Sequence, residues 1–265
     1  MSDNNINKPL EELYVNLCWD KSMSGMMRLM DTEEECSLYF VKDSSRYIKI
    51  WEYGYYFISL LIQQSSIDKS YAPLAALYSE SHSSLRCSFL CNIQGYHPEA
   101  ISLLRRVHEC CTKLIACRSF PKNIWNIVQS TSLQKAESDL GLNLKWIYNI
   151  ESSFLHSNKL KVFDTGFKLK KNLDISIPYG PQLNNKEYST AAAISIFWMY
   201  VLVLVAPRVF PDQISSSWMD KYKESCTLLK DYISMPAENK LIKEAENIEK
   251  ILDKIGPESY KGKGD

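Results

Sequence analysis

The sequence predicts an all-α protein, a multi-helix bundle interrupted by a short irregular or β-hairpin insertion near residues 159–181. Three observations carry this. Ala100, Leu103, Leu104, Val107, Cys111, Leu114 and Ile115 recur with helical offsets and form one complete apolar stripe, and similar stripes fill most of the chain. Nine glycines and ten prolines in 265 residues are too few for the many turns of an all-β chain. The hydrophobic fraction, 45%, supplies a sizeable core.

The elements follow in order. Met1–Lys8 is polar and predicted to be loose. Pro9 opens a helix to about Met30, with Leu10, Leu13, Tyr14 and Leu17 on one side. Asp31 or Thr32 caps a second helix, whose first turn holds Glu33, Glu34 and Glu35, where the macrodipole favours acid. Lys42–Arg46 is a polar break, so residues 1–46 read as an N-terminal helical extension, 47–256 as the bundle and 257–265 as a loose tail. Tyr47–Gln64 buries Ile48, Trp51, Tyr55, Ile58 and Ile62. Tyr71–Asn92 turns Leu74, Leu77, Tyr78, Leu85 and Phe89 inward, with Glu80 and His82 as polar members toward the next helix. Gly95 offers a left-handed cap and Pro98 a first-turn proline, so Glu99–Arg118 packs antiparallel to its predecessor.

Pro121 stops that central helix, and Lys122–Leu140 reads as one helix or two short ones. Gly141 separates it from Leu142–Ser157, whose apolar side is Leu144, Ile147, Ile150, Phe154 and Leu155. Asn158–Pro181 breaks the helical pattern with a glycine turn, alternation in Leu173–Ile177 and two prolines. Ser189–Ala206 carries no charge. Its Trp198 and Tyr200 lie mid-run, not at the ends where a membrane belt would place them, so it reads as a buried central helix and no membrane span is predicted. Gln213–Met235 and Ala237–Ile255 close the chain as amphipathic helices.

Lys plus Arg equals Asp plus Glu, 31 each, which argues against a general nucleic-acid binder and leaves room for a local basic patch. The polar start MSDNNINKPLEE lacks a secretory apolar core, so the eight cysteines are expected to be reduced thiols and the location cytoplasmic. The chain has no Cys-x-x-Cys, Gly-rich phosphate loop, His-Glu-x-x-His, Gly-x-Ser-x-Gly or dinucleotide fingerprint, and neither metal nor cofactor is expected.

The polar residues fall in groups. On the central helix Arg105, Arg106 and Glu109 lie opposite the stripe, spaced for Arg105–Glu109 and Arg106–Glu109 pairs, with His108 on the flank. On the later helix Asn149, Ser152, Ser153 and His156 share the polar side. Glu151 projects into the apolar stripe, where a carboxylate needs a partner, expected to be an arginine or lysine from a neighbouring helix. Lys159, Lys161, Lys168, Lys170 and Lys171 interleave with Phe163 and Phe167, a combination that can hold phosphates and stack bases.

Gly95, Tyr96, Glu99, Ala100, Leu103, Leu104, Arg105 and Glu109, followed by Ser152 and His156 in ESSFLHSN, carry a family resemblance over roughly Tyr71–Asn158. The segment resembles a group of uncharacterised prokaryotic helical proteins that looks like a branch of the HEPN superfamily (higher eukaryote and prokaryote nucleotide-binding). The resemblance implies a HEPN-like core within 47–256, a homodimer, and RNA or a partner protein from the same operon as partner. It also implies the metal-independent endoribonuclease chemistry of toxin–antitoxin and antiviral defence systems. In that reading His156 is the general acid or base, Arg105 or Arg106 neutralises phosphoryl charge, Glu109 orients the arginine, and the five lysines hold the RNA backbone. The sequence departs from the family pattern ahead of the histidine, where Ser152 or Asn149 stands in place of the expected arginine, so that either Arg105 or Arg106 substitutes for it from the central helix or the site is inactive. The alternative is a non-catalytic dimerisation or regulatory module of such a system.

Overall fold

The computed structural model describes residues 20–43, 45–63, 72–120, 123–153, 168–169, 175–176, 181, 183–210, 216–234 and 239–255. Among them the chain is helical apart from one small hairpin. In order the helices are α1 (Asp20–Asp43), α2 (Ser45–Gln63), α3 (Ala72–Ile93), α4 (His97–Ser119), α5 (Ile124–Ser130), α6 (Leu133–Leu140), α7 (Lys145–Ser153), α8 (Asn185–Val209), α9 (Ser216–Ile233) and α10 (Asn239–Ile255). Strands β1 (Lys168–Leu169) and β2 (Ile175–Ser176) pair antiparallel, with Lys168 opposite Ser176 and Leu169 opposite Ile175. The predicted all-α bundle with a hairpin near 159–181 is what forms.

The α3–α4 hairpin is the spine. Gly95 takes φ 90, a left-handed conformation that side chains resist, and the turn closes with Gly95 N–H donating to the Asn92 carbonyl and Tyr96 N–H to that of Cys91. The stripe predicted for α4 is buried at Ala100, Leu104, Val107, Cys111, Leu114 and Ile115, and from Cys110 to Arg118 every residue of the helix is buried. Helix α8 lies against α2, α3, α4, α9 and α10, while α5, α6 and α7 cover another side of α4.

Helix α8 is enclosed. Every residue from Ala191 to Ala206 is buried, so its length and apolarity belong to a core helix. Its few polar contacts run sideways: Trp51 Nε1 donates to Ser195 Oγ at 3.1 Å and Tyr78 Oη to the Leu202 carbonyl at 3.3 Å. Gly54 of α2 sits so close to α8 that a Cβ there would run into the Met199 thioether. Pro207 does not end the helix, which continues one more half-turn to Val209.

One expectation changes and one open alternative is resolved. The predicted cap at Asp31 or Thr32 is passed over, and α1 runs unbroken from Asp20 to Asp43. Tertiary contact decides this: Tyr96 Oη donates to Glu33 Oε1 at 2.7 Å, and Cys36 and Phe40 enter the main core, Phe40 stacking on Tyr188 at 4.0 Å. The Lys122–Leu140 stretch is two helices, because Ser132 caps α6 by accepting from Lys135 N–H. Gly141, at φ 68, then ends α6. The predicted helix start at Pro9 and the tail from Pro257 lie outside the described residues.

Candidate functional site

Four helices meet at His108. The imidazole is fully buried in mid-α4, with Nδ1 2.7 Å from Glu151 Oε2 of α7 and Nε2 2.8 Å from Glu137 Oε1 of α6. The Glu151 pair is an aligned hydrogen bond. Glu137 Oε1 stands on the other side of the ring at ion-pair distance from Nε2. Trp198 of α8 stacks on the imidazole with ring centroids 4.4 Å apart and donates its Nε1–H to the other Glu151 oxygen at 2.9 Å. Burial works against charge on His108, but Glu151 and then Glu137 outweigh it and hold the imidazole's pKa up at about 9. At neutral pH the centre is therefore an imidazolium clamped between carboxylates. His108 and Glu151 are both fully buried, and through Glu137 and Trp198 the contacts tie α4, α6, α7 and α8 together.

The predicted partner of Glu151 was an arginine or lysine; it is His108, with Trp198. The signal was half visible. A carboxylate in an apolar stripe announces a buried pair, but the identity of a partner 43 residues away does not follow from helical spacing.

Around this pin the predicted site residues divide. Arg106 is half exposed and turns to α3, where its Nε donates to Glu80 Oε1 at 2.6 Å, with a longer contact to Glu109 at 3.4 Å. Glu109 also pairs with Lys113 at 3.0 Å; burial works against its ionisation, but Lys113 and Arg106 hold its carboxyl below the ordinary value. The predicted Arg106–Glu109 pair thus exists within a longer ion chain. Arg105 does not take up its predicted pair with Glu109. Its guanidinium stands 4.8 Å from the centroid of the Tyr148 ring of α7, and among the described residues it has no carboxylate partner.

Ser152 and Ser153, expected on a solvated face, are both buried because Glu151 draws α7 onto α4. Ser153 donates to the Ile150 carbonyl at 2.7 Å, while the Ser152 hydroxyl has no partner among the described residues. His156, Lys159, Lys161, Lys170 and Lys171 lie outside the described residues, and Lys168 is placed in β1 by its backbone pairing.

The two helices that carry the candidate residues therefore do meet. Their contact is a closed ionic pin inside, through His108 and Glu151, with the Arg105–Tyr148 contact half-buried at its edge. His82, a polar member of α3, faces α2 instead of the central helix: Ser59 Oγ lies 2.8 Å from its Nε2, and the ring stacks on Tyr55 at 4.1 Å. Burial and then Arg86 push its pKa down to about 4, so it is neutral at physiological pH. Among the described residues no group of three or more His, Cys, Asp or Glu is arranged to hold a metal ion. Comparison with protein-family models, curated proteins and solved structures finds no match to this chain.

Proposed function

We propose that the protein is an RNA-directed helical protein of a prokaryotic defence or stress system, with Arg105 as the cation that meets the RNA phosphate. The class comes from the HEPN resemblance. The observation that carries the residue assignment is the Arg105–Tyr148 contact. Of the two candidate arginines, Arg106 is already committed to Glu80 and Glu109, while Arg105 lies over an aromatic ring with no carboxylate partner among the described residues. A guanidinium beside an aromatic face suits a phosphate and its neighbouring base together. Helix α7, which carries Tyr148, is also the helix whose sequence runs on to His156 and the lysines. In this reading His156 supplies acid–base chemistry as a metal-independent ribonuclease, the lysines hold the backbone, and the buried pin fixes α7 against α4.

The test is RNA binding by fluorescence anisotropy at low salt, with a cleavage assay alongside. Arg105→Ala should weaken binding of a short single-stranded RNA by about tenfold, and Arg106→Ala should change it little. His156→Ala should bind RNA and fail to cleave it. Wild-type protein with no saturable RNA affinity would refute the proposal.

A second reading, a non-catalytic dimerising or regulatory module, is favoured by a separate observation: Arg106 and Glu109 are spent on an ion chain and Ser152 is buried. That reading gives a folded protein in which Arg105→Ala changes stability and no RNA is bound.

A further inference from the structure

A second place in the fold concentrates polar chemistry, well apart in sequence from Arg105. Tyr200, Leu204 and Arg208 form one stripe along α8; Tyr222, Cys226 and Lys230 form another along α9; Glu249 and Asp253 lie one turn apart on α10. Between the three helices is a cavity of about 390 Å³, within the size range of small-molecule sites.

Both carboxylates of this cavity already hold a cation. Glu249 receives the Tyr200 hydroxyl and, on both oxygens, the Lys230 ammonium at 2.9 Å. Asp253 Oδ1 receives Arg208 Nη2 at 2.9 Å, while Arg208 Nη1 donates to the Leu204 carbonyl at 2.8 Å. Three cations, Arg208, Lys223 and Lys230, face two carboxylates, leaving one positive charge in excess. The amine of Lys223 has no partner among the described residues. The capacity left over is therefore hydrogen-bond donation, which calls for anionic oxygens. A zwitterion is disfavoured, because its ammonium would have to compete with Arg208 and Lys230 for carboxylates they already hold.

Apart from Thr227, the rest of the wall is largely apolar. Leu204 and the Tyr222 ring line it, and Cys226 adds a thiol whose pKa burial pushes up to about 11, so that it stays neutral and behaves as a small hydrophobe. We propose that this three-helix cavity binds a small organic anion, a ring bearing a carboxylate or phosphate group, with the anionic end at Lys223 and Arg208 and the ring against Leu204 and Tyr222. The site is independent of the RNA reading.

The experiment is calorimetric titration of the full chain with benzoate and with phenyl phosphate, and the stronger of the two identifies the head group. Benzyl alcohol, which lacks the charge, and inorganic phosphate, which lacks the ring, are the controls, and each should bind at least about tenfold more weakly. Lys223→Ala should weaken binding by about tenfold, and Thr227→Trp, on an exposed position lining the cavity, should abolish it by filling the space. Lys221→Ala, on the same helix but outside the cavity, should leave it unchanged, as should Arg105→Ala. The proposal is overturned if neither anion binds saturably up to about 10 mM, or if binding survives both Lys223→Ala and Thr227→Trp.

Discussion

The buried imidazolium makes stability depend on pH in a defined direction. His108 titrates near pH 9 in the fold against 6.5 for a free histidine. Its folded value is raised, so its contribution is fully present below about pH 6.5 and is lost as pH rises toward 9. Across that window the folded state holds a proton that the unfolded chain has released, and stability falls at about 1.4 kcal/mol per pH unit, roughly 3 kcal/mol in all. The group is fully buried, so solvent screening takes little away. Urea unfolding of wild type at closely spaced pH values from 6 to about 8, below the range where the burial-raised thiols of Cys110, Cys117 and Cys226 add a slope of the same sign, should show this slope, and His108→Gln should remove it. Glu137→Gln, which neutralises the outer carboxylate while leaving Glu151, should reduce the slope without abolishing it. If wild type and His108→Gln lose stability in parallel over this range, the imidazole is not the titrating group and the ionic pin is wrongly described.

Three further outcomes follow from the packing. Trp198→Phe removes the indole N–H from Glu151 and leaves a buried carboxylate oxygen short of a donor, at a cost of about 1–3 kcal/mol in urea unfolding. Gly54→Ala places a methyl group against Met199, which is fully buried; overpacking of about 1–3 kcal/mol outweighs the helix propensity gained, and the melting temperature should fall. Gly95→Ala forces a side chain into a left-handed turn and should cost about 1 kcal/mol by the same measurement, with no change in RNA binding.

Helical spacing made much of this fold legible. The α4 stripe from Ala100 to Ile115, the Gly95 turn, the Gly141 stop and the enclosed Ala191–Ala206 run each express a local rule, periodicity or backbone conformation, that a sequence displays directly. The pin is different in kind. Glu151 advertised a buried partner, but His108 looked like a flank residue because the helices covering that flank, α6, α7 and α8, lie far along the chain. The cap at Asp31 failed for the same reason, since the Tyr96–Glu33 hydrogen bond and the Phe40 anchor override a local stop signal. Of the candidate site, Arg105 and Arg106 were both legible as surface cations. Only the structure separates the one held by Glu80 from the one over Tyr148.

The placement of α8 has a consequence for synthesis. This helix fills the space between α2, α3 and α4, yet it is translated after all of them, and a chain leaving the ribosome lacks its own keystone until residue 209 has emerged. Until then Trp51 and Tyr78, which bond Ser195 and Leu202 of α8, lack that cover, and the nascent chain exposes apolar surface for the several seconds that translating the intervening residues takes. A ribosome stalled between α7 and α8 would therefore hold a sticky intermediate, whereas one stalled well beyond α8 would hold the α3–α4 hairpin already covered.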